Sequence, residues 1–356
     1  MKTYHRPIGL VFGPDVPRMI AQGDALPLAG LPHIGFTQVE VITRNGDHPG
    51  NAPGNAIERE YLRLSGVDDS EALTLLSAPR PAFGPLDNAS TRIMGIVNVT
   101  PDSFSDGGRL ANDATAIAHG QLLAAEGADV LDVGGESTRP GSDTVAEADE
   151  LTRVLPVIAA LAKTRVVSVD TRKAAVMRGA LGAGAAIIND VSALTHDPAS
   201  AAIVAKADAP VVLMHAQGEP KTMQLQPRYQ DVLLDVYDAL EARVAAAVAA
   251  GIARSNICID PGIGFGKTFR QNLDLLSGLT LFHGLGVPLL VGLSRKGVVG
   301  ALTGEKVAAN RVNGSVGGAI HAAMSGAHIL RVHDVKATRE ALSVFAAALN
   351  PEAADL

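Results

Sequence analysis

Eight short apolar runs in this chain end on polar residues: Asn98, Asp132, Asp170, Asn189 with Asp190, His215, Asp260, Arg295 with Lys296, and Arg331 with His333. A single Asp after such a run is usually a turn residue or a helix cap. Eight run ends doing so together are hard to attribute to caps. Carboxylates, amides and cations gathered at one place would make a site for a small polar ligand. Arg331 and His333 are two residues apart, hence on one face of a strand, and suit an anion. A lone histidine such as His215 is more often structural than catalytic. The first two runs lead into NVTPDSFSDGG (98–108) and GGESTRPG (134–141). Such Gly/Ser/Pro-rich loops can close over a ligand, although each alone is also an ordinary connection.

The elements that must position these residues follow from the pattern around them. The runs cover residues 93–99, 130–134, 166–170, 186–191, 211–215, 257–260, 289–293 and 329–333. All are rich in β-branched residues and too short for a typical helix. Ala/Leu-rich segments with helical spacing lie between most of them, at 114–125, 146–161, 174–181, 232–250 and 316–324. Eight βα units predict a closed (β/α)8 TIM barrel, with the polar run ends converging on one mouth. Near-continuous hydrophobicity fits strands covered on both faces.

Composition narrows the function. The 356 residues include no Trp, only 8 Phe and 4 Tyr, and 30 basic against 37 acidic residues, a net charge of −7. A chain with so few stacking platforms and no basic tract is not expected to bind nucleic acid. The core must be built from Val, Ile, Leu and Ala. The one cysteine, Cys258, excludes an intramolecular disulfide and a cysteine metal cluster, and is compatible with a reducing cytoplasm. No run reaches about 18 apolar residues, so no membrane span is expected. Gly9, Gly13, Pro14 and Asp15 interrupt the start of the chain, so no signal peptide is expected.

Residues 1–90 read differently from the barrel at 91–350. They are rich in Pro, Gly and Asn, with weak periodicity. The pattern predicts a strand over 38–43, a turn at Asn45-Gly46, a short helix over 56–65, and a proline-rich linker or docking segment over 77–90. The small strand pair and linker expected here carry no catalytic motif. Covering the barrel bottom and contacting a partner are both open roles.

The segments MGIVNVTPDSFSDGG, DVLDVGGESTRPG, VSVDTRK, IINDVSAL, VVLMHAQGEPKTMQ, IDPGIGFGKT, LLVGLSRKGVVG and GAHILRVHDV follow one another through residues 93–333. In this order they resemble the dihydropteroate synthase family of pterin-binding barrels; the resemblance does not reach residues 1–90. It implies a transferase of folate biosynthesis. Such an enzyme would join 6-hydroxymethyl-7,8-dihydropterin diphosphate to p-aminobenzoate through a cation-like pterin intermediate. The resemblance assigns the pterin to Asp170, Asn189, Asp260 and Lys296. Acidic and amide side chains there suit the donors of a pterin edge, and lysine its carbonyl. The diphosphate is assigned to Asn98, Arg331 and His333, with Mg²⁺ on Asn98 and on the substrate's phosphate oxygens. For p-aminobenzoate the match is Thr138, Arg139, Pro140 and Phe265. Catalytic roles fall to Asp102, Arg139, Lys296, Arg331 and His333, with the Asp102 and Arg139 loops excluding water.

Phe265 and Phe104 sit in glycine-rich or polar loops, where ligand contact and packing back onto the barrel are both open. One departure is Gly297 after the SRK lysine: the family often has Ser there, and Gly297 offers the p-aminobenzoate carboxylate only its backbone N–H. The resemblance further implies a homodimer in the cytoplasm, and the Ala/Gly-rich segment 314–326 permits close helix contact. Two alternatives compete: a pterin-binding methyltransferase domain, and a non-catalytic synthase-like paralogue. The first has no use for Arg331, His333 or the full NVTPDSFSDGG loop. The second would usually have lost loop residues that this chain retains.

Overall fold

The computed structural model of the chain describes residues 1–45, 57–99, 108–137, 142–218 and 222–353. The N-terminal head contains β1 (Lys2–Phe12), α1 (Val16–Gln22), β2 (Leu26–Leu28), β3 (Leu31–Arg44), β4 (Ile57–Arg63) and α2 (Ser70–Ser77). Its four strands form one antiparallel sheet. β1 runs along the whole of one edge of β3, while β2 and β4 share the other edge. The strand expected over 38–43 is the second half of β3. The helix expected over 56–65 is instead β4, followed by a 3-10 turn over Leu64–Gly66. The reason is tertiary: β3 leaves backbone groups open from Gln38 to Arg44, and residues 57–63 pair with them. Alternating Glu and Arg suit a solvated edge strand. Gly46 of the expected turn lies outside the described residues.

The barrel follows as β5 (Arg92–Asn98), α3 (Gly108–Ala125), β6 (Val130–Gly134), α4 (Glu147–Leu161), β7 (Val166–Asp170), α5 (Ala174–Gly182), β8 (Ile187–Asp190) and α6 (Ser200–Ala207). It continues with β9 (Val211–Met214), α7 (Val232–Ala249), β10 (Ile257–Asp260), α8 (Phe269–Ser277), β11 (Leu290–Val291), α9 (Gly297–Thr303), α10 (Val312–Met324), β12 (Ile329–Val332) and α11 (Val335–Leu349). All eight strands are parallel, in the order β10-β9-β8-β7-β6-β5-β12-β11. A bridge between Ile259 and Leu289 joins the two ends into a ring. Each strand expected from the sequence is present, and each expected barrel helix is found within a few residues of its range. Among the described residues no helix is long and apolar enough to cross a membrane.

Inside the ring, side chains alternate with a period of two. The lower layer is Met94, Val130, Ile187, Val212, Cys258, Leu290 and Ile329, packed into one apolar cluster. The segment 77–90 closes this foot. Phe83 and Leu86 bond to each other's backbone across a tight turn and join the same cluster. Gly84 makes that turn with φ +56°, and a Cβ there would lie 2.5 Å from the Pro210 ring. Arg80 fixes the segment by donating to the carbonyls of Ala78, Leu75 and His283.

Candidate active site at the barrel mouth

Two residues above the apolar layer, the same alternation brings Asp132, Ser168, Asn189, Asp260 and Arg331 to the inner face. A further step reaches Asn98, Asp170 and His333. Asp190 is out of phase by one residue, and its carboxylate accepts from Ser192 N, Ser192 Oγ and Leu194 N instead. That aspartate is a turn cap. Arg295, with φ +58°, turns away to form an ion pair with Asp334, whereas Lys296 enters the mouth.

Arg331 organises the floor of the mouth. It donates from Nε to Asp132 at 2.6 Å and from Nη2 to Asp170 at 2.7 Å. Asn189 Nδ2 donates to the same oxygen of Asp132 at 3.0 Å. The other oxygen of Asp132 and the hydroxyl of Ser168 are buried with no protein partner among the described residues. Unfilled acceptor capacity of this kind suits a ligand with N–H groups. Asp132 is among the polar run ends expected at the mouth, but the family resemblance assigns it no ligand. Counting two residues up from the core position Val130 places it on the inner face.

Asp260 accepts from Gly262 N at 2.7 Å, and Lys296 Nζ donates to the Ile263 carbonyl. The same ammonium stands 4.6 Å from the centre of the half-buried Phe265 ring. Burial raises the carboxyl pKa of Asp170 and Asp260, opposed by Arg331 and by Lys296 respectively. It lowers Lys296 to about 8. For Arg331 the flanking carboxylates outweigh burial, and the guanidinium is held charged. The mouth therefore alternates anionic and cationic groups.

His333 meets Ser294 through both its backbone N–H and Nδ1, each 3.1 Å from Oγ. Asn98 is half-buried at the top of β5, across the ladder from Gly134. Asp102, Phe104, Thr138, Arg139 and Pro140 lie outside the described residues.

Lys267, which the sequence reading did not single out, anchors the turn carrying Phe265. Its buried ammonium donates to the carbonyls of His215, Gly262 and Phe265 at 3.2, 2.9 and 2.9 Å, and lies 3.0 Å from His215 Nδ1. Burial lowers its pKa to about 7 and holds His215 well below the usual imidazole range. Asn272 accepts from Gly264 N, Gln224 donates to Gly264 O, and Tyr229 donates to Gly266 O. The turn must come close to the preceding loop, and two glycines allow it. At Gly262 (φ +67°) a Cβ would lie 1.9 Å from His215 O, and at Gly266 (φ +63°) 2.3 Å from Gln217 O.

Residues 94–333 match the family described as pterin binding enzyme. The chain is 52% identical over 262 residues to the dihydropteroate synthase of Neisseria meningitidis serogroup B, covering 72% of this chain and 92% of the relative. A solved structure of Xanthomonas albilineans dihydropteroate synthase with 4-aminobenzoic acid is similar at TM-score 0.70 and 49% identity, covering 75% of this chain and 95% of that one. The dihydropteroate synthase from the same organism in complex with 7,8-dihydropteroate gives TM-score 0.68 at 47% identity, covering 76% and 97%. By its barrel, its charged mouth and these matches, the chain belongs to the pterin binding enzyme family, the family of its dihydropteroate synthase relatives.

Proposed function

We propose that this protein transfers the pterin methylene of 6-hydroxymethyl-7,8-dihydropterin diphosphate to the amine of p-aminobenzoate, releasing diphosphate and 7,8-dihydropteroate. The observation that carries this reading is the gathering of Asp170, Asn189, Asp260 and Lys296 around Arg331 and its partner Asp132. Two carboxylates and an amide complement the N–H edge of a pterin, and Lys296 complements its carbonyl. Kinship with synthases solved with 4-aminobenzoic acid and with 7,8-dihydropteroate supports the two halves of the product.

In this reading the C–O bond to diphosphate breaks with its electron pair leaving on oxygen. The aniline nitrogen then bonds to the methylene carbon and loses a proton. Asp170 and Asp260 stabilise the cationic pterin, and Arg331 with His333 receives the developing negative charge of the diphosphate. Phe265 and the stem of Lys296 offer an apolar wall for the aromatic ring. Beside them Gly297 is exposed at the start of α9, with open space where a Cβ would stand. Thr138, Arg139, Pro140 and Asp102 complete the site by resemblance to the family.

The Asn98 carboxamide suits a single protein ligand of Mg²⁺, because this ion prefers oxygen and commonly takes its other ligands from phosphate and water. Its ladder neighbour Gly134 contributes no side chain to crowd that position. When bound, Mg²⁺ would offset the charge of the leaving diphosphate. A homodimer is proposed on kinship as well; Gly314 and Gly318 already pack against Val299 and Leu293 within the chain, leaving Gly317 facing open space.

The test is diphosphate release and dihydropteroate formation by the purified protein with both substrates and Mg²⁺, beside a known synthase. Turnover that stops with EDTA and returns with Mg²⁺ is expected, with Asn98→Ala needing more of the ion. No diphosphate release while the reference enzyme works would overturn the reading.

A further inference from the structure

The head is not part of the region that the family model matches, which begins at residue 94. It is nevertheless tied to the barrel near the mouth. Two carboxylates at the start of α7 each divide their oxygens, one toward the head and the other toward the backbone, Asp231 onto the helix itself and Asp235 onto the loop that precedes it. Asp231 caps α7 with Oδ1, accepting from Leu233 N and Leu234 N, while Oδ2 accepts from Arg59 Nη2 at 3.1 Å. Asp235 accepts Gln230 N through Oδ2 at 2.8 Å and Arg44 Nη2 through Oδ1 at 2.8 Å.

Both arginines are themselves held. Arg44 donates also to Asp238 at 3.3 Å, and Arg59 to Glu40 at 3.0 Å. Glu40 is buried and paired with Arg6 on the neighbouring strand, so the head presents the guanidinium of Arg59 from a fixed base. Next to Gln230 stands Tyr229. Its hydroxyl donates to Gly266 O at 2.9 Å, and its ring packs 6.1 Å from that of His215. Gly266 adjoins Phe265 and Lys267, the two residues that shape the wall beside Lys296.

We propose that Arg44 and Arg59 are positioning residues for the aromatic-amine side of the active site. They act from the head through Asp235 and Asp231 on the Tyr229 loop, and so on the Gly262–Gly266 turn. The head is then a brace for the amine subsite rather than a separate module. Side chains that orient a binding group are felt in affinity when they are removed, even though they touch no substrate. The inference rests on the transferase reading given above.

The experiment compares the full-length protein with Arg59→Met, Arg44→Gln and the double variant, and with the double Arg→Lys variant as the conservative control. KM for p-aminobenzoate should rise about three- to tenfold in the double variant and recover partly with lysines. KM for the pterin diphosphate and kcat should stay within about twofold. Amide hydrogen exchange should quicken at residues 262–267 as well as at 230–235. Exchange faster only at 230–235, with both KM values unmoved, would reduce the arginines to structural contacts and overturn the proposal. Equal rises in both KM values would overturn it too. Should the double variant fold poorly, Arg59→Met alone decides, since that side chain is one-third exposed. If the wild-type protein forms no dihydropteroate, the transferase reading fails, and the exchange at 262–267 still tests the brace.

Discussion

Arg331 and Asp132 lie 199 residues apart in sequence and 2.6 Å apart at the barrel mouth. Asp132 is fully buried, and the guanidinium it holds reaches on to Asp170. Removing Asp132 takes away one of the two carboxylates that hold this guanidinium and leaves Asn189 without its acceptor. Asp132→Ala should therefore lose about 3–5 kcal/mol of stability in urea unfolding. It should also lower kcat/KM for the pterin diphosphate by about 100-fold, with Asp132→Asn between it and the wild type. Full activity in Asp132→Ala would show that the mouth does not need this clamp.

The pH dependence of kcat/KM for the pterin substrate should be bell-shaped. Burial raises Asp170 and Asp260, so their carboxylates are lost at a higher pH than an ordinary aspartate as the solution is acidified. On the alkaline side Lys296, lowered to about 8, gives up its ammonium proton. Lys296→Arg should push the alkaline limb upward, because arginine stays charged. A profile whose alkaline limb is unmoved in that variant would assign the limb to another group, with Lys267 the nearest alternative.

Lys267→Met should raise KM for p-aminobenzoate, by about tenfold, more than KM for the pterin. The carbonyl of Phe265 loses its donor, and an unpaired buried carbonyl costs about 1–3 kcal/mol, while that of Gly262 keeps the Phe265 N–H. Thermal unfolding should fall accordingly. A variant with a lowered melting temperature and an unchanged KM for the amine would confine Lys267 to a structural part.

Phe83→Ala tests the plug at the opposite end of the barrel. The ring is fully buried among the foot residues of seven strands, so its removal should cost about 3–5 kcal/mol. At 25 °C, far from the mouth, kcat and both KM values should hold within about twofold. A selective loss of substrate affinity would mean that the foot and the mouth are coupled.

The barrel strands were legible because a buried parallel strand writes itself locally, as a short β-branched run ending on a polar residue. The polar ends also announced a mouth. What they did not announce was which of them face it. Asp190 and Arg295 end runs as plainly as Asn189 and Lys296 do, yet one caps a turn and the other pairs with Asp334. Phase decides between them, and phase can be counted only once a core position such as Val130 or Ile187 is fixed. The segment 57–63 is a strand where its local pattern predicts a helix, for a related reason. Its conformation is set by the open edge of β3, a partner chosen in space.

The parallel barrel, the family motifs and the set of side chains that end the strands are written in the chain, since these depend on periodicity and residue type. Packing set how charge is shared among Arg331, Asp132 and Asp170, that Lys267 pins the Phe265 turn, and that Arg44 and Arg59 grip α7. Each of these is a contact between residues distant in the chain. Its energy depends on distance and burial, which no local pattern encodes.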